Sequence, residues 1–502
     1  MRNRFLNGLL LFALVSFTFL SSCKKDDSPA PVVKPDIVFY ALTSSSQLVK
    51  YNANSETAIS TIAITGLQAG ENLLAIDFRP ATGQLYGLGS TSRIYIVNQE
   101  TGKATAVGAG PFTPAITGAL VGFDFNPTVD RIRLVTSAGQ NLRLNPETGA
   151  VVATDANLNP GTPSAIAVAY MNSIAGATTT TLFDIDIATQ KLYKQDPPNN
   201  GTLVEVGSLG VTATADGGFD ISPDNAVALA SLNVSGAYGL YRIDLATGKA
   251  TKLGSLAGIV IGLAIPTNPV AYAVDDANNL LIFNLKTPGT PVSKAITGLQ
   301  PAETIYGIDM RPATGQLYAL GSSSRLYTIN MSSGAATIAG TGPLTTLLAG
   351  TSFGFDFNPT VDRIRVVSNT GQNIRLNPND GTVAAVDASL NPGTPNVSAV
   401  AYTNNFPGST TTVLFDIDYT TDKLYSQNPP NNGTLVETGA LGINVDESNG
   451  FDIGGTTNNA YALLRVGGVA KIYSISTTSG AATLPVDFPA ANIKGFAVGL
   501  GF

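Results

Sequence analysis

Aspartate recurs at one position of several short apolar motifs, a pattern that could build a site for a cation or a polar ligand. GENLLAIDF contains Asp77, GFDF contains Asp124 and GFDI contains Asp220. The second half of the chain repeats the set at Asp309, Asp356 and Asp452. If three carboxylates converge, their oxygens suit a hard cation such as Ca²⁺. Alternatively, each carboxylate accepts backbone N–H bonds from a neighbouring loop and has a structural role only.

A second candidate site combines arginines with aspartates around the segment DRIR. Arg131 and Arg133 share one face of a predicted strand, and Arg143 falls at or near the position opposite Arg133 across a hairpin. Like charges in opposing positions repel unless an anion intervenes. That anion is either an aspartate of the chain or a bound carboxylate or phosphate, which arginine holds well. The aspartates considered are Asp124, Asp130 and Asp155. The arrangement recurs at Asp362, Arg363, Arg365 and Arg375.

A third candidate is carboxylate catalysis. Asp184 and Asp186 lie on one strand face, as do Asp416 and Asp418, and paired carboxylates could cleave glycosides. Asp186, however, also falls where a side chain would close a turn. Histidine is absent from the 502 residues, and Cys23 is the single cysteine. The sequence therefore excludes Ser-His-Asp or Cys-His catalysis and zinc or copper sites ligated by histidine.

A repeated framework must position these residues. GFDFNPTVDRIR occurs at 122–133 and again at 354–365, and Asp77 and Asp309 are likewise 232 residues apart. Within each copy, turns that begin at Asn, Asp or Ser and usually contain Gly define five units of about 46 residues. Each unit predicts four short strands, because Val, Ile, Tyr and Thr dominate and apolar residues alternate with polar ones.

Four-stranded units of this length in tandem are typical of β-propellers. We predict an all-β fold with two tandem five-bladed propellers, over 37–266 and 270–502; a single ten-bladed ring is the alternative. The first unit of each copy lacks its innermost strand. GIVIGLAI (258–265) and IKGFAVGLG (493–501) are predicted to supply that strand from the far end of each copy. The aspartate motifs would then be innermost strands that line a channel.

The N-terminus indicates where in the cell the protein is located. Residues 1–22 read as a signal peptide, with a basic start and an apolar stretch (9–20) too short for a comfortable membrane span. LSSC (20–23) resembles the bacterial lipobox, which implies acylation of Cys23 and a lipid-anchored protein. Residues 23–36 are polar and Pro-rich and predict a flexible tether. KKDD (24–27) resembles the surface-export signals of Bacteroidetes lipoproteins, with the periplasmic face of the outer membrane as the alternative.

The composition and charge of the chain limit the classes of partner that it can bind. Charged residues make up 13% of the chain and the net charge is −7, with no basic run beyond Lys24 and Lys25. The sequence therefore lacks the cluster of basic residues that nucleic-acid binding requires. A chain of this length with 44% hydrophobic residues can build a large core without disulfides.

The motifs taken in order resemble a known family. The series IDFRPATGQLYGLGS, GFDFNPTVDRIR, GQNLRLNP, LNPGTP, TTTLFDID, QDPPNNGTLVEVG and GFDI is similar to domain-of-unknown-function family 4394 over nearly all of each copy. The resemblance implies an extracytoplasmic, propeller-like domain and assigns no activity or catalytic residue. The sequence favours a non-catalytic binding module for a glycan, a peptide or an envelope protein. The alternatives are a carboxylate-dependent hydrolase or lyase on extracellular polymers, and a purely structural envelope module.

Overall fold

Alternating apolar residues and polar turns divide the chain into short β-strands, forty of them in the described residues. The computed structural model describes residues 32–215, 217–447, 449–490 and 492–502. The predicted signal peptide, Cys23 and KKDD lie outside the described residues. Two 3₁₀ turns, Pro198–Asn200 and Pro430–Asn432, accompany the strands. Within the described ranges, no helix has the length and apolar character needed to cross a bilayer.

The strands of the first copy are β1 (Val38–Thr43), β2 (Gln47–Asn52), β3 (Ser60–Ala63), β4 (Leu73–Phe78), β5 (Leu85–Gly89), β6 (Arg93–Val97), β7 (Ala104–Val107), β8 (Val121–Asn126), β9 (Arg131–Thr136), β10 (Asn141–Leu144), β11 (Val151–Thr154), β12 (Ala165–Tyr170), β13 (Leu182–Asp186), β14 (Lys191–Gln195), β15 (Leu203–Ser208), β16 (Gly218–Ile221), β17 (Ala228–Val234), β18 (Ala237–Ile243), β19 (Ala250–Ser255) and β20 (Val260–Ala264).

The strands of the second copy are β21 (Val270–Asp275), β22 (Asn279–Asn284), β23 (Val292–Ala295), β24 (Ile305–Arg311), β25 (Gln316–Gly321), β26 (Arg325–Ile329), β27 (Ala336–Ala339), β28 (Phe353–Asn358), β29 (Arg363–Ser368), β30 (Asn373–Leu376), β31 (Val383–Val386), β32 (Val397–Tyr402), β33 (Leu414–Asp418), β34 (Lys423–Gln427), β35 (Leu435–Ala440), β36 (Asn449–Ile453), β37 (Ala460–Val466), β38 (Val469–Ile475), β39 (Ala482–Asp487) and β40 (Ile493–Val498).

These strands form four-stranded antiparallel sheets, the blades. Most blades use strands that are consecutive in the chain, such as β4–β7 and β8–β11. One blade of each copy is completed from the far end: β20 pairs with β1, which places Ala264 opposite Tyr40. In the second copy β40 pairs with β21, which places Ala497 opposite Tyr272. The two predicted closing strands therefore take the places that the sequence assigned to them.

Each set of five blades closes into its own ring. The innermost strands of the first ring contact one another in the order β4, β8, β12, β16 and β20, and β20 returns to β4. The second ring runs through β24, β28, β32, β36 and β40 and back to β24. The prediction of two five-bladed propellers is confirmed. The ten-bladed alternative is wrong, because the last innermost strand of each copy contacts the first innermost strand of the same copy.

Turn chemistry explains why the blades end where they do. Oδ1 of Asn98 accepts bonds from the backbone N–H groups of Glu100 and Thr101, both at 3.0 Å. Gly102 follows with φ of +73°, a left-handed conformation that glycine adopts without strain. A Cβ at Gly102 would also lie 2.1 Å from the carbonyl oxygen of Ala63 in the preceding blade. Glycine is thus required both by the turn and by the close approach of the neighbouring blade.

Apolar side chains fill the space between neighbouring blades. Tyr86 of β5 packs edge to face against Phe125 of β8, with ring centroids 5.1 Å apart, and Tyr318 and Phe357 repeat the contact at 5.1 Å. All four are buried. Burial of a large side chain such as these contributes about 1.5–3 kcal/mol. The ring is therefore held together mainly by packing from blade to blade.

The two rings contact each other through turns of the first ring. The Tyr272 hydroxyl donates to the carbonyl of Ala81 at 2.9 Å. The backbone N–H of Gly501 donates to the carbonyl of Thr82 at 2.9 Å. Arg79, which is completely buried, donates to the carbonyl of Gly315 at 3.3 Å. Because these contacts are buried and hydrogen-bonded, Pro35–Phe502 forms one compact unit.

Candidate functional site

Three aspartates approach one another inside each ring, towards the C-terminal ends of the innermost strands. In the first ring, Asp77 on β4, Asp124 on β8 and Asp220 on β16 each offer one oxygen, and these oxygens lie within 4.8 Å of one another. Asp309, Asp356 and Asp452 form the same triad in the second ring. All six side chains are buried. The structure thus brings together the aspartates that the sequence grouped.

Each aspartate of a triad also reaches a neighbouring blade. In the first ring, Asp77 accepts the backbone N–H of Phe125 at 2.9 Å, and Asp124 accepts that of Tyr170 at 3.1 Å. Asp220 accepts the N–H of Ile265 at 2.6 Å. The second ring repeats the contacts from Asp309 to Phe357, from Asp356 to Tyr402 and from Asp452 to Val498. The triads therefore link innermost strands, as the structural alternative predicts.

Burial changes the protonation of the triads. It raises the pKa of Asp77 well above its usual value, and the nearby Asp220 adds to the rise. Burial likewise raises the pKa of Asp124, with contributions from both neighbours. It raises the pKa of Asp220 to about 7, against the effect of its backbone N–H bonds. The second ring shows the same directions. A triad at neutral pH therefore favours bound protons or a cation.

The donor set fits a hard cation in part. Three carboxylates could hold an ion such as Ca²⁺, which takes about six to eight oxygen ligands. Oδ2 of Asp356 is buried and has no hydrogen-bond partner among the described residues, so it could accept one more contact. The other carboxylates of this ring already bind backbone N–H groups but keep lone pairs. Linking of blades and holding of an ion are thus compatible in one triad.

The paired carboxylates considered for glycoside cleavage have different environments. Oδ1 of Asp186 accepts the N–H groups of Ala188 at 2.7 Å and Ser164 at 3.1 Å and closes the turn. Asp184 is fully buried, and neither of its oxygens has a hydrogen-bond partner in the described part of the chain. Burial raises the pKa of Asp184 to about 8, against the effect of Arg133. Asp416 and Asp418 repeat the arrangement. These buried carboxylates cannot reach a polymer in this conformation.

We expect the stability of the protein to fall as the pH rises from about 5 to 9. The buried aspartates bind protons more tightly in the folded state, up to about pH 7 to 8, than in the unfolded chain, where they titrate near 4. Unfolding therefore releases protons in this window, and the free energy of unfolding decreases with pH. Asp184→Asn combined with Asp416→Asn should flatten the profile and stabilise the protein at pH 9 by on the order of 1–3 kcal/mol. Urea unfolding across the pH range measures this.

The same experiment has a matched control and an ion arm. Asp487→Asn makes the same chemical change at a side chain that is 84% exposed, and it should leave the slope unchanged. A double variant whose profile follows that of the unaltered protein would contradict the prediction. An ion bound by ionised triads should stabilise the protein above pH 7. If no divalent cation shifts the midpoint at any pH, the triads hold no cation.

The arginines of the second candidate site are held by aspartates of the chain. Arg133, which is 1% exposed, donates to Asp155 at 2.6 Å, to Asn141 at 2.7 Å and to Asn199 at 2.8 Å. Arg143 lies opposite Arg133 in the strand register, as the sequence suggested, and binds both oxygens of Asp155 at 2.8 and 2.9 Å. Arg365 and Arg375 repeat these contacts with Asp387. Asp155 and Asp387 are therefore the anions that lie between the opposed arginines.

The remaining charged residues of DRIR have separate roles. Arg131 donates to the backbone carbonyl of Asp130 at 2.7 Å and takes no part in the Asp155 contacts, and Arg363 does the same with Asp362 at 2.8 Å. Both oxygens of Asp130 bind Arg79, which the sequence had not singled out. Arg79 and Asp130 thus form a buried pair where the two rings meet.

A cavity that sequence reasoning missed opens at the other end of the second ring. Its volume is about 270 Å³, and it lies where the innermost strands begin, the mouth of the second ring. Its walls combine aromatic, hydroxyl and charged side chains. The lining residues are Tyr306, Thr351, Ser352, Phe353, Ser398, Asp446, Glu447, Arg465, Ile493 and Lys494. Tyr306 stacks on Phe353 with ring centroids 5.0 Å apart.

Polar contacts organise part of this wall. Oε1 of Glu447 accepts hydrogen bonds from the hydroxyls of Thr351 at 2.8 Å and Ser352 at 2.9 Å. Asp446 faces Arg465 at 3.5 Å and also accepts the backbone N–H of Gly468 at 2.9 Å. The acidic side chains of the mouth are thus held by hydroxyl, guanidinium and backbone groups of the protein.

At the positions aligned with this lining, the first ring carries mostly apolar residues and no charged residue. Val260 pairs with Thr43 of β1, and Ile493 pairs with Asp275, the equivalent residue of β21. The next residues, Ile261 and Lys494, therefore occupy equivalent positions in the two rings. The aligned pairs, second ring first, are Tyr306 and Leu74, Thr351 and Ala119, Ser352 and Leu120, Phe353 and Val121, Ser398 and Ile166, Asp446 and Thr214, Glu447 and Ala215, Arg465 and Asn233, Ile493 and Val260, and Lys494 and Ile261. All four charged residues of the second mouth are therefore uncharged in the first, whereas the triads and the opposed arginines are the same in both rings.

A constriction separates the mouth from the triad. Gly307, Gly354, Gly450 and Gly495 lie around a space of about 10 Å³ along the innermost strands of the second ring. A space of this size holds about one water molecule at most. A Cβ at Gly450 would lie 2.3 Å from Cβ of Phe496, so the strands approach too closely for a side chain. The mouth and the triad are therefore distinct sites.

Comparison with solved structures finds propellers and extracellular domains at low sequence identity. The Dos1 propeller is 14% identical, with 64% of this chain and 82% of that chain covered and a TM-score of 0.26. Two structures of the extracellular domain of BT4673 from B. thetaiotaomicron are 10% and 11% identical and cover 91% of this chain, with TM-scores of 0.27. The match spans 66% and 65% of those chains.

Among curated proteins, none matches the chain. A family model matches twice, at residues 47–264 and 279–497, one match in each ring. Together these ranges cover more than half of the 502 residues. The chain belongs to the family described as "Domain of unknown function (DUF4394)" and carries two tandem copies of that domain.

Proposed function

We propose that this protein is an envelope lipoprotein that binds its ligand, without catalysis, at the mouth of the second ring. The cavity there supports the proposal, because ligand sites are concave and place a few polar groups among apolar walls. About 270 Å³ suits one sugar ring or the end of a peptide. The ligand classes that follow are a glycan, a peptide or an exposed segment of another envelope protein.

The difference between the two rings supports the choice of this mouth over the triads. The triads occur in both rings and link neighbouring blades, which is a role that every copy of the fold needs. All ten lining residues of the second mouth differ from their aligned residues in the first ring, while the twelve residues of GFDFNPTVDRIR remain identical. At these positions only the second ring carries charged groups, which is what a ligand requirement of its own would produce.

The cellular location of the protein is part of the same proposal. A lipid on Cys23 would anchor the protein to the outer membrane, and residues 24–36 would hold the rings away from the bilayer. A tether of thirteen residues spans at most about 45 Å when extended. KKDD at 24–27 supports exposure at the cell surface. A surface position would bring the mouth of the second ring into contact with extracellular polymers.

A binding screen with matched variants tests the proposed site. Full-length protein should bind members of a glycan or peptide array, and Tyr306→Ala combined with Glu447→Ala should weaken that binding at least about 10-fold. The double variant removes the aromatic face and the carboxylate that holds Thr351 and Ser352. Thermal melts establish that the variant remains folded.

The first ring supplies the control for this screen. Leu74→Ala combined with Ile261→Ala alters the equivalent mouth and should leave array binding unchanged. If the second-ring variant binds as well as the unaltered protein, or if only the first-ring variant loses binding, the proposed site is wrong.

A further inference from the structure

Lys494 is the one cationic residue of the second mouth for which the described part of the chain shows no ion pair. It occupies the second position of β40, is partly buried and lines the cavity. Arg465 faces Asp446, and Glu447 is held by Thr351 and Ser352. The two carboxylates that line the cavity therefore contact other residues of the same wall. A lysine that lines a cavity and has no ion pair favours an anionic partner.

The rest of the wall indicates what carries that anion. Tyr306 is partly exposed and stacked on buried Phe353, so it presents a flat apolar face backed by a second ring. Glu447, Thr351 and Ser352 present oxygen atoms that can accept and donate hydrogen bonds. A sugar ring offers C–H groups on its face and hydroxyls around its edge, and it matches both surfaces at once. The cavity has room for about nine waters, or roughly one sugar ring and its substituents.

Resting on the binding function proposed above, we infer that the second mouth recognises a sugar that bears a carboxylate, a hexuronate unit of an acidic glycan. The carboxylate pairs with Lys494, the face of the ring packs on Tyr306, and hydroxyls meet the oxygens of Glu447, Thr351 and Ser352. The first ring cannot make these contacts, because Ile261 and Leu74 stand in the places of Lys494 and Tyr306.

Titrations with small probes test this inference. Methyl glucuronide and methyl galacturonide are compared with methyl glucoside and methyl galactoside, their neutral counterparts, by ligand-observed NMR. We expect one of the two acids to bind at least 10-fold more tightly than its neutral counterpart, with an affinity that falls as salt is added. Lys494→Gln should reduce the affinity for that acid to the neutral level and leave the neutral sugar unaffected. Tyr306→Ala should weaken both.

The controls separate this inference from the binding function on which it rests. Lys471→Gln removes an ammonium group that pairs with Asp487 on the outer strands, and it should change nothing. Equal affinity for acid and neutral sugars, or an unaltered affinity in Lys494→Gln, would overturn the inference. If a dipeptide such as Gly-Gly or a neutral sugar binds at least as tightly as both acids and Tyr306→Ala removes that binding, the mouth is a ligand site but not for a uronate. If no probe binds, the uronate inference is wrong and the glycan and peptide array decides the proposed function.

Discussion

Replacing Asp155 by alanine should lower the free energy of unfolding by about 3–5 kcal/mol. Asp155 is the single carboxylate between two arginines, and Arg133 is almost completely buried. Burial alone would raise the pKa of Asp155, but hydrogen bonds from Arg143 and Arg133 outweigh it and hold the pKa below its usual value. Without this side chain, the Arg133 charge remains buried with only neutral partners, and Arg143 repels it across the strand register.

The second ring provides a replicate and the first ring a control. Asp387→Ala should have the same effect, because Arg365 and Arg375 contact Asp387 as their counterparts contact Asp155. Glu205→Ala breaks the exposed pair with Lys191 and should cost less than about 1 kcal/mol. Urea unfolding of the three variants gives the comparison. A loss below about 1 kcal/mol for Asp155→Ala would show that the arginines do not depend on this carboxylate.

A single methyl group at Gly218 should be nearly as damaging. A Cβ there would lie 2.1 Å from the backbone nitrogen of Leu263 and 2.5 Å from the carbonyl carbon of Gly262. Both atoms belong to the innermost strand of the next blade, so the clash cannot be relieved by rotating a side chain. Blades would have to move apart against the packing of the whole ring. We expect Gly218→Ala to destabilise the protein by about 3 kcal/mol, at the upper end of the usual cost of overpacking.

Gly110 is the matched position for this test. A Cβ at Gly110 meets no atom within 4 Å, and the backbone there is not left-handed. Gly110→Ala should therefore change the free energy of unfolding by no more than about 0.5 kcal/mol. Equal midpoints for the two variants in thermal unfolding would mean that the innermost strands can separate without cost, contrary to the closed ring described above.

The propeller framework was predictable because it depends on short turn and strand motifs that recur many times in the sequence. Asn98 and Gly102 mark a turn through their own side chain and backbone, and the same signal recurs around both rings. Alternation of apolar residues then placed Asp77 and Asp124 on innermost strands, and the hairpin length placed Arg143 opposite Arg133. Each of these inferences needs only residues close together in the chain.

Contacts between distant segments were beyond the same reasoning. Asn199, in a 3₁₀ turn 66 residues after Arg133, completes the arginine contacts, and nothing in its local sequence indicates that partner. Arg79 lies in the turn RPATG, where exposure is the ordinary expectation, yet the second ring buries it. The sequence also left open which aspartate lies between the arginines, since Asp155 follows β11 and is outside any strand.

The mouth of the second ring was missed because its lining comes from several blades and the loops before them. Thr351, Glu447 and Lys494 are far apart in the chain and belong to no common motif. A signal was nevertheless present. Alignment of the two copies shows charge and hydroxyl groups in one and apolar groups in the other at Lys494, Glu447 and Ser398. Differences between the copies, rather than their shared aspartates and arginines, indicated the site.

A crystal structure of the protein soaked with a hexuronate tests the central claim most directly, since the two rings of one molecule serve as site and control. The account predicts electron density for one sugar in the second mouth, with its carboxylate at Lys494 and its face on Tyr306. It predicts none at Leu74 and Ile261 in the first ring. Density in both mouths alike, or only outside the mouth of the second ring, would contradict the claim that the second ring alone carries the binding site.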